Sequence, residues 1–428
     1  MYQDERVRRN NKRKRNRRQK TAVFLIVIIG LAGVWMGFLK DKNEGDALNV
    51  GGSNKAESQE KTELSITCVG DIMVHKPQIA AQYDKAKENY DFTNNFEYIE
   101  PYIKSSDLSL CNVETTFAGG VPTGYPMFNA PDSLAEALWE TGFKVGITSN
   151  NHMMDKGEAG LSRTLRVLRE SGLVTVGSHF LWERNYAMIK VKDLWVAVIP
   201  YTYETPSHGG KATINSIPIS KDTEARINSF NTETLARDME RIKETIITAK
   251  KHGAHIILCY FHWGEEYQRY PNEWQQSIAR QVAEMGADII FASHPHVLQG
   301  IEQLGTEDGR RVPVFYSMGN LISNQRMETL QNRYTEQGMI ARVVLEYDKK
   351  EKGVNILRFD AMPTWVDKYN LGGKDVYTIV PLDTKMESNR SLLKSGHLGR
   401  AKEALGDVEK LLGEEYIWKE EGNIFNVN

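Results

Sequence analysis

Cysteine is scarce in this sequence. Only Cys68, Cys111 and Cys259 occur among its 428 residues, each inside an apolar run. A disulfide scaffold needs a denser set of cysteines, so the fold has to rest on a hydrophobic core. With 40% hydrophobic residues the chain can build a sizeable core, and we interpret the three thiols as small buried hydrophobes.

A surplus of positive charge is missing from most of the chain. Ten lysines and arginines lie in residues 1–20 beside only Asp4 and Glu5, which leaves 44 basic against 54 acidic residues in the remainder. Nucleic-acid binding requires excess cations on the folded surface, so no nucleic-acid partner is expected. A polyanionic ligand would also be repelled, except along a local basic or metal-lined path.

Only one uncharged apolar run has membrane-spanning length. Residues 21–39 (TAVFLIVIIGLAGVWMGFL) would extend about 28 Å as a helix, close to the roughly 30 Å hydrocarbon core of a bilayer. The basic residues precede this run, which predicts a cytoplasmic N-terminus and an extracellular body. The run ends without an A-x-A site and no cysteine follows it, which favours an uncleaved anchor over a signal peptide or a lipoprotein.

These features divide the chain into five segments and predict a single-pass protein of the cell membrane, with the lipid bilayer as one partner. The segments are a cytoplasmic basic tail (1–20), a transmembrane signal anchor (21–39), a flexible polar linker (40–61), a globular domain (62–382) and a C-terminal helical appendage (383–428).

The globular part alternates short apolar runs with amphipathic stretches, which predicts an α/β layered domain. The expected strands are Leu64–Val69, Leu108–Asn112, Phe143–Thr148, Val174–Gly177, Ala254–Phe261 and Ala287–Ala292. The expected helices are Asp132–Glu140, Ala159–Ser171, Thr234–Lys251 and Trp274–Met285, with a further one at Arg400–Leu412. Hairpin patterns at Tyr186–Thr202 and Met339–Asp360 indicate that the sheets are mixed.

Polar residues cluster where five of these strands end. The clusters contain Asp71; Asn112 and Glu114; Asn150, Asn151 and His152; His262; and His294 with His296. Any one of them alone would be read as a helix cap or a structural histidine. Because ligands of open α/β sheets gather at the carboxyl ends of strands, the recurrence favours one shared site.

Imidazoles mixed with carboxylate and amide oxygens suit Zn, Mn or Fe better than Ca. His294 and His296 are two residues apart at a strand end, so they can chelate one ion or flank two. Two divalent ions bridged by a carboxylate are a device for phosphoester and related hydrolysis. We therefore predict a dinuclear transition-metal site whose metal identity is open.

Six ordered motifs resemble the CapA-like proteins of poly-γ-glutamate capsule synthesis. They are GDIMVH (70–75), NVET (112–115), SNNHMMDKG (149–157), HWGEEY (262–267), SHPHVLQG (293–300) and YSMGNLI (316–322). That family is similar to the calcineurin-like metallophosphoesterases, so the resemblance implies a four-layer αββα sandwich with a two-metal site. It also implies poly-γ-glutamate, or the membrane subunits that synthesise and export it, as partners.

The resemblance assigns roles to seven residues. It implies metal ligation by Asp71, Glu114, Asn151, His262, His294 and His296, and assistance to the leaving group by His152. Two positions depart from the phosphoesterase pattern: Met73 replaces a ligating histidine, and Glu114 replaces an aspartate. A thioether is a poor ligand for these ions, so one metal position is expected to be weak. His75 is an alternative ligand, although its spacing from Asp71 favours another direction.

Further candidates are open to two interpretations each. Glu265 is either a general acid–base or orienting group, or it is a polar loop residue. The same two interpretations apply to Glu266. Asp155 either orients His152 or caps the next helix, and capping is the preferred interpretation. Contacts with substrate are expected from three carboxamides, Asn150, Gln299 and Asn320. Turn chemistry accounts equally well for Gln299 and Asn320.

Three functions follow. The first is a membrane-tethered extracytoplasmic component of poly-γ-glutamate synthesis and export with a metallophosphatase-like site. The second is a metal-dependent envelope hydrolase that cleaves a phosphoester or a γ-glutamyl amide. The third is a non-catalytic scaffold that binds the polymer.

Overall fold

Two mixed β-sheets form the centre of the molecule, which a computed structural model describes for residues 60–419. The predicted tail, membrane anchor and most of the linker (1–59) lie outside the described residues. Within the described range, no helix is both long and apolar enough to cross a membrane.

The first sheet has eight strands and contains both parallel and antiparallel pairs. Its parallel part runs in sequence order, since Lys61–Ile72 pairs with Leu108–Val113 and two further strands follow. The spatial order is Lys374–Pro381, Gly353–Leu371, Gln337–Asp348, Lys61–Ile72, Leu108–Val113, Val145–Ile147 and Val174–Val176, with Asn320–Ile322 paired in parallel to Lys61–Ile72.

The second sheet has seven strands, five of which run parallel next to one another. The spatial order is Ser229–Phe230, Leu194–Tyr203, Ile256–His262, Ile289–Ser293, Arg311–Phe315 and Ile301–Gly305, with Ala187–Val191 antiparallel to Leu194–Tyr203. Two small sheets lie apart: Thr205–His208, Lys211–Ile214 and Ile217–Pro218; and Tyr83–Asp84 with Asn89–Tyr90.

Helices connect the parallel strands, and a glycine ends one of them. The helix Ser133–Thr141 ends at Gly142, whose φ of 112° is a left-handed conformation that favours glycine. The remaining α-helices are Lys76–Gln82, Thr93–Phe96, Glu100–Lys104, Gly157–Glu170, Lys221–Glu224, Leu235–Lys251, Glu273–Glu284, Met327–Leu330, Arg390–Ser395 and Leu398–Leu412. Short 3₁₀ turns occur at Thr232–Thr234, Arg333–Glu336, Met386–Ser388 and Glu414–Tyr416.

Alternation along the strands divides the core into layers. Leu64, Ile66 and Cys68 face the second sheet in a core shared by both sheets. On the outer side of the first sheet, apolar residues such as Cys111 pack against helices. Cys259, on the outer side of the second sheet, belongs to the core under the helices Leu235–Lys251 and Glu273–Glu284. The predicted α/β/β/α architecture is therefore confirmed, and all three cysteines are free and buried as expected.

The helical segment after residue 382 is built into this architecture. Val408 and Leu412 enter the core between the sheets, and Leu392 packs in a separate apolar cluster with Trp365 and Leu382. Because these contacts join the segment to strands of the first sheet, the helices close one end of the sandwich.

This packing predicts different effects for two adjacent leucines of one helix. Leu392→Ala should lower the free energy of unfolding by about 2–5 kcal/mol, because the side chain is 2% exposed and leaves a cavity. Leu393→Ala changes the same helix, but that side chain is 66% exposed, so the loss should stay within about 0.5 kcal/mol. Urea denaturation of both variants measures the difference, and equal losses would contradict the packing.

Candidate metal centre

Strand ends of both sheets meet at one edge of the sandwich, as predicted. Lys61–Ile72 brings Asp71, Leu108–Val113 is followed by Glu114, and Ile256–His262 ends at its histidine. His294 and His296 come shortly after Ile289–Ser293, and Asn151 and His152 lie in the segment that follows Val145–Ile147. The six ligand candidates and His152 are at most 5% exposed: Asp71, Glu114, Asn151, His152, His262, His294 and His296.

Asp71 is positioned by a glycine before it and a histidine opposite it. A Cβ on Gly70 would lie 2.0 Å from the carbonyl oxygen of Gly319, so only glycine permits this close approach. The Asp71 amide donates to that same oxygen at 2.9 Å. Its Oδ2 lies 2.9 Å from Nδ1 of His296, on the opposite sheet. The first and fifth sequence clusters are therefore in direct contact.

Glu114 belongs to two possible ligand sets. One contains Glu114, His262 and His294, the other Asp71, Glu114 and His296, and within each set one ligand atom per residue lies within 4.8 Å of the others. Its Oε1 is 3.6 Å from Nε2 of His262 and 3.9 Å from Nε2 of His296. The carboxylate is therefore placed between the imidazoles of His262 and His296.

The two histidines that flank Pro295 have an unusual backbone. His294 has a φ of 108° and His296 a φ of 57°, in the left-handed region that residues other than glycine rarely adopt. Their ring centroids are 5.8 Å apart, and His262 is 4.8 Å from His294. Such strain is concentrated at functional sites, where surrounding contacts hold it in place.

The electrostatics favour a cation at this point. Burial raises the pKa of Glu114 well above its usual value, and the charge of Asp71 adds to this shift. Burial also lowers the pKa of His262 to about 3 and that of His294 well below its usual range. For Asp71 burial acts in the opposite direction, but the hydrogen bond and charge of His296 outweigh it and the pKa is lowered. A divalent cation would stabilise the ionised carboxylates and use the neutral imidazoles as ligands.

Unsatisfied atoms show that these residues fit a metal. Oε1 of Glu114 and Nδ1 of His294 are buried without a hydrogen-bond partner in the described chain. Buried polar groups are normally paired, and a carboxylate oxygen with an imidazole nitrogen is a suitable donor set for Zn, Mn or Fe. His75 lies outside both sets, because its Nδ1 accepts from the Asn324 amide at 3.3 Å and its ring packs on Phe128.

Asn112 is a functional candidate that sequence reasoning did not select. Its Nδ2 donates to Oδ1 of Asp71 at 2.8 Å and to Oε2 of Glu114 at 3.2 Å, and it lies 3.4 Å from Nδ1 of His262. The signal was its position two residues before Glu114, on the same face of a strand. Asn150, expected to bind substrate, instead donates to Oδ1 of Asn112 at 3.1 Å and so supports this amide.

The amide of Asn151 and the ring of His152 connect the third strand end to the centre. Oδ1 of Asn151 lies 2.9 Å from Nε2 of His262. Nδ1 of His152 lies 2.8 Å from Oδ2 of Asp155, which also accepts from the Phe128 amide. The preferred helix-capping interpretation of Asp155 was wrong, since the carboxylate is used to orient His152.

Two residues expected to touch substrate have structural contacts instead. Nε2 of Gln299 donates to the carbonyl oxygens of Gln268 and Tyr270, and its Oε1 accepts from Gln275, so the amide holds a loop. Nδ2 of Asn320 donates to the carbonyl oxygen of His296 at 3.2 Å and fixes that strained backbone. Both side chains are fully buried, so a role in positioning replaces direct binding.

Glu265 is exposed, and neither ligand set includes it. Its role as an acid–base or orienting group stays a prediction. Its neighbour Glu266 is the more relevant carboxylate, because its charge adds to the effects of burial and of Asp71 that raise the pKa of Glu114.

Two tyrosines border the centre and were not selected from the sequence. The ring of Tyr203 lies 4.7 Å from that of His294, and the ring of Tyr267 lies 6.3 Å from that of His296. Burial, and then the charge of Glu266, raises the pKa of both phenols. Tyr267 is the last residue of the HWGEEY motif, whereas none of the six motifs contains Tyr203.

The fold and the donor set define a candidate metal-binding protein of the α/β class. The chain belongs to the family of the bacterial capsule synthesis protein PGA_cap, whose model matches residues 65–325. The resemblance drawn from the six motifs is thereby confirmed.

Two relatives extend this assignment. The chain is 28% identical over 324 residues to the capsule biosynthesis protein CapA of Bacillus anthracis, covering 73% of this chain and 70% of that protein. It is 26% identical over 390 residues to the PGA biosynthesis protein CapA of Bacillus subtilis strain 168, covering 89% and 86%.

Among solved structures, the calcineurin-like phosphoesterase YfkN of Bacillus subtilis is similar, with a TM-score of 0.39 and 14% identity over 80% of this chain and 99% of that one.

The contacts of Asn112 predict its effect on metal affinity. Asn112→Leu keeps the approximate volume but removes the donor shared by Asp71 and Glu114, so Mn²⁺ affinity should fall roughly 10–100-fold. Asn95→Leu is the control, because it removes an equally buried amide that donates to the Tyr377 carbonyl oxygen. Calorimetric titration of the full-length variants measures both, and equal affinities would show that Asn112 does not organise the ligands.

Proposed function

We propose that this protein acts in poly-γ-glutamate capsule synthesis as a metal-dependent hydrolase of γ-glutamyl amide or phosphoester bonds. The observation that carries the proposal is the pair of ligand sets that share the buried carboxylate of Glu114. The printed names of the two relatives, a capsule and a PGA biosynthesis protein, support the polymer as the context.

A dinuclear centre of Mn, Zn or Fe would supply a nucleophilic hydroxide at neutral pH and neutralise developing negative charge. Six residues would hold it: Asp71, Glu114, Asn151, His262, His294 and His296. A cation here also resolves the conflict between the acidic chain and an anionic polymer, because the substrate would meet positive charge at this point.

His152 is the residue placed to move a proton. Asp155 accepts at Nδ1 over 2.8 Å, which fixes the tautomer and ring orientation. Nε2 has no hydrogen-bond partner in the described chain, so it is available to return a proton to a leaving amine or alkoxide. Phe128 packs edge-on against the ring at 4.7 Å and limits its rotation.

The location is part of the same proposal. Residues 21–39 would anchor the chain in the cell membrane, with residues 1–20 in the cytoplasm and the metal centre outside. There the body would meet polymer as it emerges from the synthesis and export subunits.

A non-catalytic polymer-binding scaffold is the second candidate, and one observation favours it. Met73 is buried beside Asp71 and brings a thioether where the phosphoesterase pattern has a ligand. A centre with one weak position would bind an anionic chain more readily than it would hydrolyse it.

Metal content tests the centre. The full-length chain purified after Mn or Zn supplementation should retain metal by elemental analysis, and the double variant His294→Ala, His296→Ala should lose it. His208→Ala is the control, since that histidine is exposed on a small outer sheet. Absence of metal from the unmutated chain would overturn the centre.

Turnover separates the two candidates. Against a panel of γ-glutamyl amides and phosphoesters, His152→Gln should lower turnover roughly 10²–10⁴-fold with metal content unchanged, because only proton transfer is removed. An unmutated, metal-loaded chain that binds poly-γ-glutamate without cleaving any member of the panel would favour the scaffold.

A further inference from the structure

We propose that the hydroxyl of Tyr203 donates a hydrogen bond to an anionic oxygen of the substrate at the metal centre. The substrate class is one with a phosphoryl oxygen, or an amide carbonyl that becomes an oxyanion during cleavage. The inference rests on the proposed function, since it presupposes the metal, and it assigns a substrate-contacting residue outside the ligand set.

Strand pairing places Tyr203 beside the ligands. It is the last residue of Leu194–Tyr203, which pairs in parallel with Ile256–His262 so that Thr202 is opposite His262. Its ring lies 4.7 Å from that of His294, tilted by 48°. The side chain is therefore held against one member of the first ligand set by a regular strand.

The hydroxyl of Tyr203 is available. It makes no hydrogen bond within residues 60–419, and the residue is only partly buried. Tyr201 on the same strand differs, because its hydroxyl lies 3.1 Å from Oγ1 of Thr245. Phenol groups at partly buried positions usually have a partner, so an unused one beside a ligand is suited to a bound molecule.

The charges of the centre explain why a neutral donor would be useful there. Within residues 60–419 the ion pairs of Asp71 and Glu114 are all with histidines. Those ion pairs therefore contain no arginine or lysine that could also bind an oxyanion. A phenol donates at neutral pH because its ordinary pKa is about 10. A fixed donor in a poorly hydrated site stabilises charge as it develops.

Tyr267 is expected to contribute less. Its ring is farther from the ligands, at 6.3 Å from His296, and its side chain is 36% exposed. Removing the hydroxyl of Tyr203 should therefore weaken anion binding more than removing that of Tyr267.

The test measures binding of inorganic phosphate to the full-length, Mn-loaded chain by calorimetry, with metal content and thermal stability recorded for each variant. Tyr203→Phe keeps the ring against His294 and should weaken phosphate binding about tenfold, with metal content unchanged. Tyr267→Phe should weaken it less. Tyr201→Phe is the matched control, since it removes a hydroxyl from the same strand, and it should leave phosphate affinity unchanged.

The outcomes distinguish this inference from the proposed function. If the unmutated chain and Tyr203→Phe hold equal metal and bind phosphate equally, the inference fails and the metal centre stands. Phosphate that does not bind the metal-loaded chain would also overturn the inference. A chain that retains no metal would overturn the proposed function and the inference together.

Discussion

A single buried carboxylate governs the arrangement of the centre. Glu114 is fully buried between imidazoles of the second sheet and the carboxylate of Asp71, and its Oε1 has no hydrogen-bond partner in the described chain. An ionised carboxylate in this position is costly without a cation, which is why burial raises its pKa so far. A metal ion is the group that would pair with it and with the neutral histidines around it.

The shell around the ligands is made largely of carboxamides. Asn112 donates to both carboxylates, Asn150 supports Asn112, and Asn320 holds the backbone of His296. An amide can donate and accept without adding charge, so it orients ligands while leaving the charge balance to the metal. Asp155 performs the same orienting role for His152, which is the group with a free ring nitrogen.

Membership of the capsule-synthesis family and the geometry of the centre bear on different questions. The family match gives the biological context, since it covers residues 65–325 and includes every ligand candidate. The geometry gives the chemistry, because buried imidazoles and carboxylates from both sheets lie within reach of shared ions. Met73 bears on both questions, because the resemblance implies a ligating histidine at this position.

Much of the fold could be predicted because its signals are local. The helix predicted at Thr234–Lys251 is found at Leu235–Lys251, and both expected hairpins form, since periodicity and glycine positions act over a few residues. The strand predicted at Phe143–Thr148 is shorter, at Val145–Ile147, because its length depends on its neighbours rather than on its own side chains.

The sequence by itself determined which residues could ligate a metal, because ligand chemistry belongs to the side chain and strand ends are visible as apolar runs that stop. It did not determine the partners of Gln299 and Tyr203, which come from segments far apart in the chain. Only the face-to-face packing of the two sheets decided that Asp71 meets His296. Strand pairing within each sheet decided that Asn112 lies against Asp71 and that Tyr203 lies beside His294. A hydrogen bond is decided by distances of a few ångströms in space, and those distances are set when the whole core forms.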